Sequence, residues 1–163
     1  MTITNNMRPN EVLAGKSGDV YALLNGTRYH LMHVTEIEAT IEYEKGDVPM
    51  LGRRMTGHKI NGANGSYKGK GYYRFSEFRL AAEEYANGGA APVYEIEIVN
   101  EEKGVGAGRQ RVVLKDCMPD SDILAKADAS SEFLEEDIEG TFDAFSIEEA
   151  FDSSMDGYVE SEG

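Results

Sequence analysis

The sequence predicts a mainly β fold, an antiparallel β-sandwich or partly closed barrel with one principal α-helix. Several segments alternate apolar and polar residues with a period of two, as half-buried strands do. Only residues 76–89 show convincing helical spacing, and glycine-rich turn signals separate the alternating segments. The length of 163 residues suits about one domain with a core of its own.

The first strands lie in "VYALLNGTRYHLMHV", where Asn25-Gly26 can adopt the positive φ angles of a tight turn. The next segment, "EIEATIEYE", is the clearest strand in the chain. Its even-numbered positions carry Glu36, Glu38, Thr40, Glu42 and Glu44, and its odd-numbered positions carry Ile37, Ala39, Ile41 and Tyr43. This alternation predicts one polar and one apolar face.

Residues 45–66 lose all periodicity and contain Pro49 and five glycines. They predict a loop of about twenty residues, a length that is usually functional or disordered. "SYKGKGYYRF" then resumes the alternation, and antiparallel pairing with partner numbers that sum to 112 matches opposite charges. The matched pairs are Glu44 with Lys68, Glu42 with Lys70, and Glu38 with Arg74. We therefore expect a two-stranded ribbon with a long basic arm at its tip.

Residues 76–89 predict the helix, with Ser76 as N-cap and Gly88 as terminator. Its expected apolar face is Phe78, Leu80, Ala81, Ala82 and Tyr85.

"VYEIEIVN" and "RQRVVLKDC" predict two strands joined by a glycine-rich tip, with Glu95 and Glu97 opposed to Arg109, Arg111 and Lys115. In the last third we expect strands around 123–127 and 138–145, then a helical turn at 146–151. The predicted organisation is an N-terminal arm at 1–14, a β domain at 15–152 with the long loop 45–66, and an acidic tail at 153–163.

Charge is unevenly distributed in a chain whose formal charge is -14. Residues 48–76 contain six basic and no acidic residues, whereas residues 116–163 contain sixteen acidic residues and only Lys126 to oppose them. Such a balance disfavours general nucleic-acid binding, which needs a surplus of Lys and Arg. Two oppositely charged regions could instead attract within a subunit or between subunits.

The usual chemical motifs fail on spacing. Cys117 is alone, so no internal disulfide or CxxC motif is possible. The block Gly65–Gly71 is one residue short of a P-loop and lacks its hydroxyl, and a calcium loop counted from Asp120 lacks the required ligands. His30 and His33 would face opposite sides of a strand. We expect no enzyme, cofactor or metal site, and a soluble chain made in the cytoplasm, since no apolar run approaches the ~20 residues of a membrane span.

Three segments carry a resemblance to a known family. "LGRRMTGHKINGANGSYKG" resembles the segment typical of tail tube proteins of PBSX-like contractile phage tails, and "ADASSEFLEEDIEGTFDAFSIEEAF" resembles the acidic C-terminal end of the same family. "SEFRLAAEEYANG" falls where that family has its helix. The resemblance spans most of residues 15–152, and the chain departs from the family in a longer N-terminal arm and an extra acidic tail.

The resemblance implies an inner tube subunit of a virion tail, assembled in the bacterial host cytoplasm. Such subunits form stacked hexameric rings inside a contractile sheath, with baseplate and terminator proteins at the ends and a tape measure protein or DNA in the lumen. It also implies contacts with neighbouring subunits through the basic segment: Gly52, Arg53, Arg54, Met55, Thr56, Gly57, His58 and Lys59. The candidate lumen face, or polar face of the ribbon, is Glu36, Glu38, Glu42, Glu44, Lys68, Lys70 and Arg74. The alternative function is a monomeric binding module whose basic 52–65 loop binds nucleic acid or an acidic partner.

Overall fold

The computed structural model describes residues 15, 17–101 and 108–151. This part of the chain contains eight strands and one helix: β1 (Gly18–Leu24), β2 (Thr27–His30), β3 (Val34–Val48), β4 (Gly57–Tyr72), α1 (Glu77–Ala86), β5 (Tyr94–Glu101), β6 (Arg109–Pro119), β7 (Glu135–Phe142) and β8 (Ala144–Glu149). The predicted mainly β class, sandwich-like with one principal helix, is confirmed. The antiparallel strands of the described residues do not close into a barrel.

Of the described residues, the first of two compact units contains 15, 17–32, 95–101, 108–115 and 145–151. Its strands are ordered β2-β1-β5-β6, and β8 pairs with β6. Its buried apolar side chains are Val20, Ala22, Leu24, Leu31, Ile96, Val99, Val113 and Leu114. The predicted tight turn joins β1 to β2, with φ of 50° at Asn25 and 80° at Gly26. Both values lie in the left-handed region that these two residue types tolerate.

The second unit comprises His33–Tyr94 and Asp116–Ala144. Its strands are ordered β6-β7-β4-β3, and β4 lies between β3 and β7. Its buried apolar side chains are Tyr67, Tyr94, Cys117 and Phe142. From α1, the Phe78 ring lies 5.0 Å from that of Tyr94 and 5.1 Å from that of Phe75. The helix thereby attaches to the aromatic core of this unit.

The helix itself is confirmed where the sequence predicted it, with two corrections. Ser76 occupies the N-cap position, but its side chain makes no capping hydrogen bond. Leu80 and Tyr85 are 54% and 58% exposed, so they do not belong to the apolar face that packs on the core. That face consists of the half-buried Phe78, Ala81 and Ala82. Gly88 follows the helix with φ of 91°, as expected of a terminating glycine.

The predicted register of β3 and β4 is wrong, although the two strands do pair antiparallel. Partner numbers sum to 106 rather than 112 over most of the ladder, so Glu38 faces Lys68 and Glu36 faces Lys70. The shift is even, which keeps every residue on its predicted face. Both registers place an isoleucine opposite a glycine, and charge matching alone could not choose between them. In the observed register Gly69 lies directly under the β3 backbone, where an added side-chain atom would collide with the Glu36 carbonyl oxygen.

The predicted loop at 45–66 is also much shorter than expected. β3 continues to Val48 and β4 begins at Gly57, which leaves only residues 49–56 as the connecting turn. Glycines at 46, 57, 62 and 65 lie within the paired strands, and a bulge occurs between Glu44 and Lys45. They favour a loop by local propensity, but cross-strand pairing overrides that preference. We call residues 43–63 the arm and residues 49–56 its tip.

Two predictions for the last third are wrong. Residues 123–127 form no strand. Nearby, Asp128 accepts hydrogen bonds from the Ser130 backbone and hydroxyl and from the Ser131 hydroxyl, which fold the chain into a turn. The expected helical turn at 146–151 is instead largely strand, because β8 extends to Glu149 and pairs with β6. The strand expected around 138–145 exists as β7 and the start of β8. The glycine-rich tip at 102–107, the N-terminal arm 1–14 and the tail 153–163 lie outside the described residues.

Gly140 allows a test of the close packing around β4. An added methyl group would collide with the Met118 carbonyl oxygen and with the Tyr67 hydroxyl. Because both groups are fixed by strand pairing and burial, we expect Gly140→Ala to lower the free energy of unfolding by about 1–3 kcal/mol. Chemical denaturation followed by circular dichroism measures the change. Gly15→Ala, with nothing within 4 Å of the added atom, is the matched control; equal stability of the two variants would contradict this packing.

Candidate assembly surface

The arm brings the predicted contact residues together at the end of the β3–β4 hairpin. Gly52, Arg53, Arg54, Met55 and Thr56 lie in the tip, and Gly57, His58 and Lys59 begin β4. All eight are exposed except the half-buried Gly57. Gly52 has φ of 80°, a conformation that favours glycine and lets the chain reverse. The predicted segment is therefore a continuous surface at the end of a projecting two-stranded ribbon.

Large apolar side chains on the arm are exposed as well, which the sequence analysis missed. Leu51 is fully exposed, Met50 is 55% exposed and Met55 is 78% exposed, with Val48 and Ile60 exposed beside them. The run "VPML" next to the basic residues carried the signal, but the stretch was interpreted by its charge alone. Clustered exposed apolar groups rimmed by polar ones mark sites of contact with other proteins.

The cations of the tip lack acidic partners within the part of the chain that is described. Among these residues the Arg53 side chain makes one hydrogen bond, from Nη1 to the Met50 sulfur at 3.8 Å, and neither Arg54 nor Lys59 at the start of β4 makes an ion pair. His58 lies 3.5 Å from an Asp47 carboxylate oxygen across the ribbon. The tip therefore presents positive charge and apolar surface side by side.

The opposite charge lies on the polar face of the sheet formed by β3, β4 and β7. Glu36, Glu38, Glu42, Glu44, Lys68 and Lys70 share this face and are all exposed. The ladder between β4 and β7 adds Glu135, Asp137 and Glu139, so that seven carboxylates and two lysines give a formal charge of -5. Arg74, predicted to face Glu38, lies beyond the end of β4. Alternation does not specify strand order, so the contribution of β7 to this face could not be predicted from the sequence.

Each lysine of this face lies between two acidic residues. Lys68 is flanked by Glu38 and Glu139, and Lys70 by Glu36 and Asp137. These pairs are register neighbours, and none forms an ion pair within 4.0 Å among the described residues. Opposite charges thus lie next to each other across the sheet without direct salt bridges, and the face keeps its net negative charge.

The second unit also contains a buried charge pair that holds its helix. Arg79 of α1 donates a hydrogen bond to Glu136 of β7 at 2.5 Å, and its guanidinium lies 4.1 Å from the centre of the Tyr73 ring. Burial raises the pKa of Glu136, although Arg79 opposes the shift. Burial likewise raises the pKa of Asp122. Asp122, Arg79 and Glu136 line one small cavity of this unit. Because Arg79 is paired with Glu136 on β7, the charged residues on the outward side of α1 are acidic.

In the first unit, Glu97 is clasped by two arginines beside a cleft of about 190 Å³. Arg111 Nε donates to it at 2.5 Å and Arg28 at 3.1 Å, and Arg28 lies 3.9 Å from the centre of the Tyr21 ring. The predicted opposition of Glu97 and Arg111 is confirmed, whereas Arg109 lies near Glu101 and Glu149. Burial tends to raise the pKa of Glu97, but the hydrogen bonds and charges of Arg111 and Arg28 outweigh it and hold the pKa below its ordinary value.

The histidines have structural surroundings. His30 Nε2 lies 3.2 Å from Asp19 Oδ1, and the His30 ring stacks on Tyr21 at 4.6 Å. The His33 ring stacks on Phe75 at 5.4 Å, and burial, together with Arg79, lowers its pKa.

Within the described ranges, no three His, Cys, Asp or Glu side chains are grouped so as to hold a metal ion. Over the same residues, no helix has the length and apolar character needed to cross a bilayer.

The fold and the surface together define a mainly β protein with an exposed apolar and basic arm tip. The model of the phage tail tube protein family matches residues 5–149. The chain therefore belongs to the phage tail tube protein family, and it is a structural component of phage or phage-like tails.

Two relatives from Bacillus subtilis strain 168 support this assignment. The phage-like element PBSX protein XkdM is 35% identical over 143 residues, which cover 88% of this chain and 95% of XkdM. The uncharacterized protein YqbM is 34% identical over 149 residues, which cover 91% of this chain and 99% of YqbM. Among solved structures, a chain of the anti-feeding prophage tube terminating cap has the same fold, with a TM-score of 0.63 and 14% identity. That match covers 92% of this chain and 100% of the cap chain.

Glu97 makes the stability of the protein depend on pH in a defined direction. Its pKa in the folded state lies below the ordinary value of 4.5. The stabilisation is therefore fully present above that pH and is lost as the pH falls through the folded-state pKa. We expect Glu97→Gln to lower the free energy of unfolding by about 1.5–3 kcal/mol at pH 7, because hydrogen bonds to charged groups are lost.

Denaturation curves at several pH values test this expectation. The difference between the wild type and Glu97→Gln should shrink as the pH falls below 4.5, where the carboxylate becomes protonated first in the unfolded state and then, at its lower pKa, in the folded state. Glu95→Gln, a neighbour on the same strand, serves as the control and should change stability by less than about 0.5 kcal/mol. A pH-independent difference between Glu97→Gln and the wild type would contradict the role assigned to the two arginines.

Proposed function

We propose that this chain is a non-catalytic subunit of an inner tail tube, in which hexameric rings stack inside a contractile sheath. The observation that carries the proposal is the arm tip, where Arg53 and Arg54, without acidic partners among the described residues, adjoin Met50, Leu51 and Met55. Burial of such apolar side chains contributes about 1.5–3 kcal/mol each. A protein that leaves them in water as a monomer gains that free energy when the arm is covered by a neighbouring subunit.

A long free strand edge supports ring formation. β3 ends the strand order of its unit, and over its 15 residues it pairs only with β4 among the described residues. An uncovered edge of this length offers a row of unpaired backbone donors and acceptors to another chain. Pairing between copies around a closed ring would cover every such edge, and rings require this head-to-tail type of contact.

The acidic polar face of β3, β4 and β7 supports a conduit. We propose that it lines the lumen, where its formal charge of -5 in each subunit repels a nucleic-acid backbone. DNA or a tape measure protein then passes without adhering. The sheath, the baseplate and terminator proteins are the other partners of the proposed tube, which belongs to the virion tail and assembles in the host cytoplasm.

Reversing the charge of the arm tip tests the proposal. We expect Arg53→Glu with Arg54→Glu to raise the critical concentration for tube formation by at least about tenfold, equivalent to 1.4 kcal/mol per subunit contact. The folded monomer should persist, since neither side chain has an acidic partner among the described residues. Negative-stain micrographs and sedimentation over a concentration series measure assembly, and circular dichroism measures folding.

Arg53→Lys with Arg54→Lys is the matched control, because it keeps both charges and should keep the tubes. Unchanged tubes in the charge-reversed protein would contradict a role for these cations. If the wild type stays monomeric at high concentration and instead retards DNA in a salt-dependent manner, the chain is a binding module and the tube proposal fails.

The apolar part of the tip allows a second, independent test. Leu51→Gln with Met55→Gln should also raise the critical concentration at least about tenfold, because two exposed apolar side chains lose their burial in the assembly. Monomer stability should change by less than about 0.5 kcal/mol, as for other surface substitutions. Met32→Gln removes an equally exposed methionine away from the arm and should leave the sedimentation profile of the tubes unaltered. Wild-type assembly by the Leu51 and Met55 variant would show that the tip stays in solvent.

A further inference from the structure

We infer that the arm tip of one copy docks on the outward side of α1 in a neighbouring copy. The inference rests on the proposed function, which requires that the tip be covered, and it names the surface that covers it. We call this surface the α1 outer face and define it as Glu77, Leu80, Glu83 and Glu84.

The α1 outer face is an unpartnered apolar spot within an acidic rim. Leu80 is 54% exposed, and Glu77, Glu83 and Glu84 lie three or four residues from it on the helix. Residues with that spacing are neighbours on a helix surface. Tyr85, 58% exposed, is five residues from Leu80 and so lies on another side of the helix, which leaves Leu80 as the apolar centre of this face. The arrangement matches the arm tip, where Leu51 and two methionines adjoin two arginines.

The helix also lacks the cation that its C-terminal end favours. Its last turn contains no basic residue, and Glu83 and Glu84 lie near the negative end of the helix dipole. Arg79, the only basic residue of α1, is bound to Glu136 instead. A guanidinium from another copy would therefore gain from the two carboxylates and from the helix end together. Arg53 and Arg54 are cations without an acidic partner in the described part of their own chain.

The other acidic surface of the second unit fits the tip less well. The polar face of β3, β4 and β7 contains Lys68 and Lys70 between its carboxylates, and these would repel the incoming arginines. Its paired positions from 36 to 44 present glutamates and a threonine but no exposed aliphatic side chain. The exposed apolar group of this face is the Tyr72 ring beside Glu135, whereas Leu80 offers Leu51 and the methionines an aliphatic contact.

A charge exchange between the two surfaces tests whether they meet. Glu83→Arg with Glu84→Arg should raise the critical concentration for assembly at least about tenfold, as Arg53→Glu with Arg54→Glu does. Combining all four substitutions in one chain should restore assembly to within about threefold of the wild type, because each new cation again faces a new carboxylate. Wild-type assembly by the helix variant, or a combined variant no better than either parent, would overturn the inference and leave α1 to another tail protein.

Cross-linking supplies a test that does not depend on charge. Leu51→Cys subunits are mixed with Leu80→Cys subunits before assembly and then oxidised, while the native Cys117 is fully buried. A disulfide-linked dimer should form in tubes assembled from the mixture, since a disulfide needs Cα atoms within about 7 Å. The amount of this dimer should be at least about tenfold lower in tubes of either variant alone. Tubes without this dimer would overturn the docking site and leave the tube function standing. Failure of the wild type to form tubes would defeat both.

Discussion

The close fit of β4 between β3 and β7 is the constraint on which the second unit depends. At Gly140 and Gly65 there is no room for a side-chain atom, because the Tyr67 hydroxyl and the Phe142 ring occupy that space. Tyr67 is buried and shares a hydrogen bond with the Tyr94 hydroxyl, in surroundings that raise the pKa of both phenols. This packing holds the base of the β3–β4 hairpin. Beyond this base, the strands of the arm, residues 43–48 and 57–63, pair only with each other among the described residues.

Stability and assembly make opposite demands on the two ends of the same hairpin. At the base, glycines bring backbones together and aromatic rings fill the core. At the tip, Leu51 and Met55 stay in water, where they contribute nothing to folding but remain free for another subunit. The charge pattern follows the same division, because the lysines near the base lie between carboxylates and the arginines of the tip do not. An arm that stabilised only its own chain would have the reverse arrangement.

Local sequence signals predicted much of the fold. Asn25-Gly26, the alternation of 36–44 and the helix at 76–88 depend on neighbours in sequence, and all three are confirmed. The register of β3 and β4, the extension of both strands to Val48 and Gly57, and the strand at 144–149 depend on contacts far along the chain. Predictions of these features from local propensity are therefore wrong. Charge located the arm tip, but the exposure of Met50 and Leu51 depends on the hairpin having no other partner at its tip among the described residues.

The most direct test of the arm as a coupling between subunits is a cryo-electron microscopy map of the protein assembled at high concentration. Hollow tubes of stacked sixfold rings are expected, with residues 49–56 of each copy enclosed by a neighbouring copy and the polar face of β3, β4 and β7 turned to the lumen. Particles that remain single, or tubes in which Leu51 and Met55 face solvent, would contradict the role of this apolar and basic tip as the contact that joins one subunit to the next.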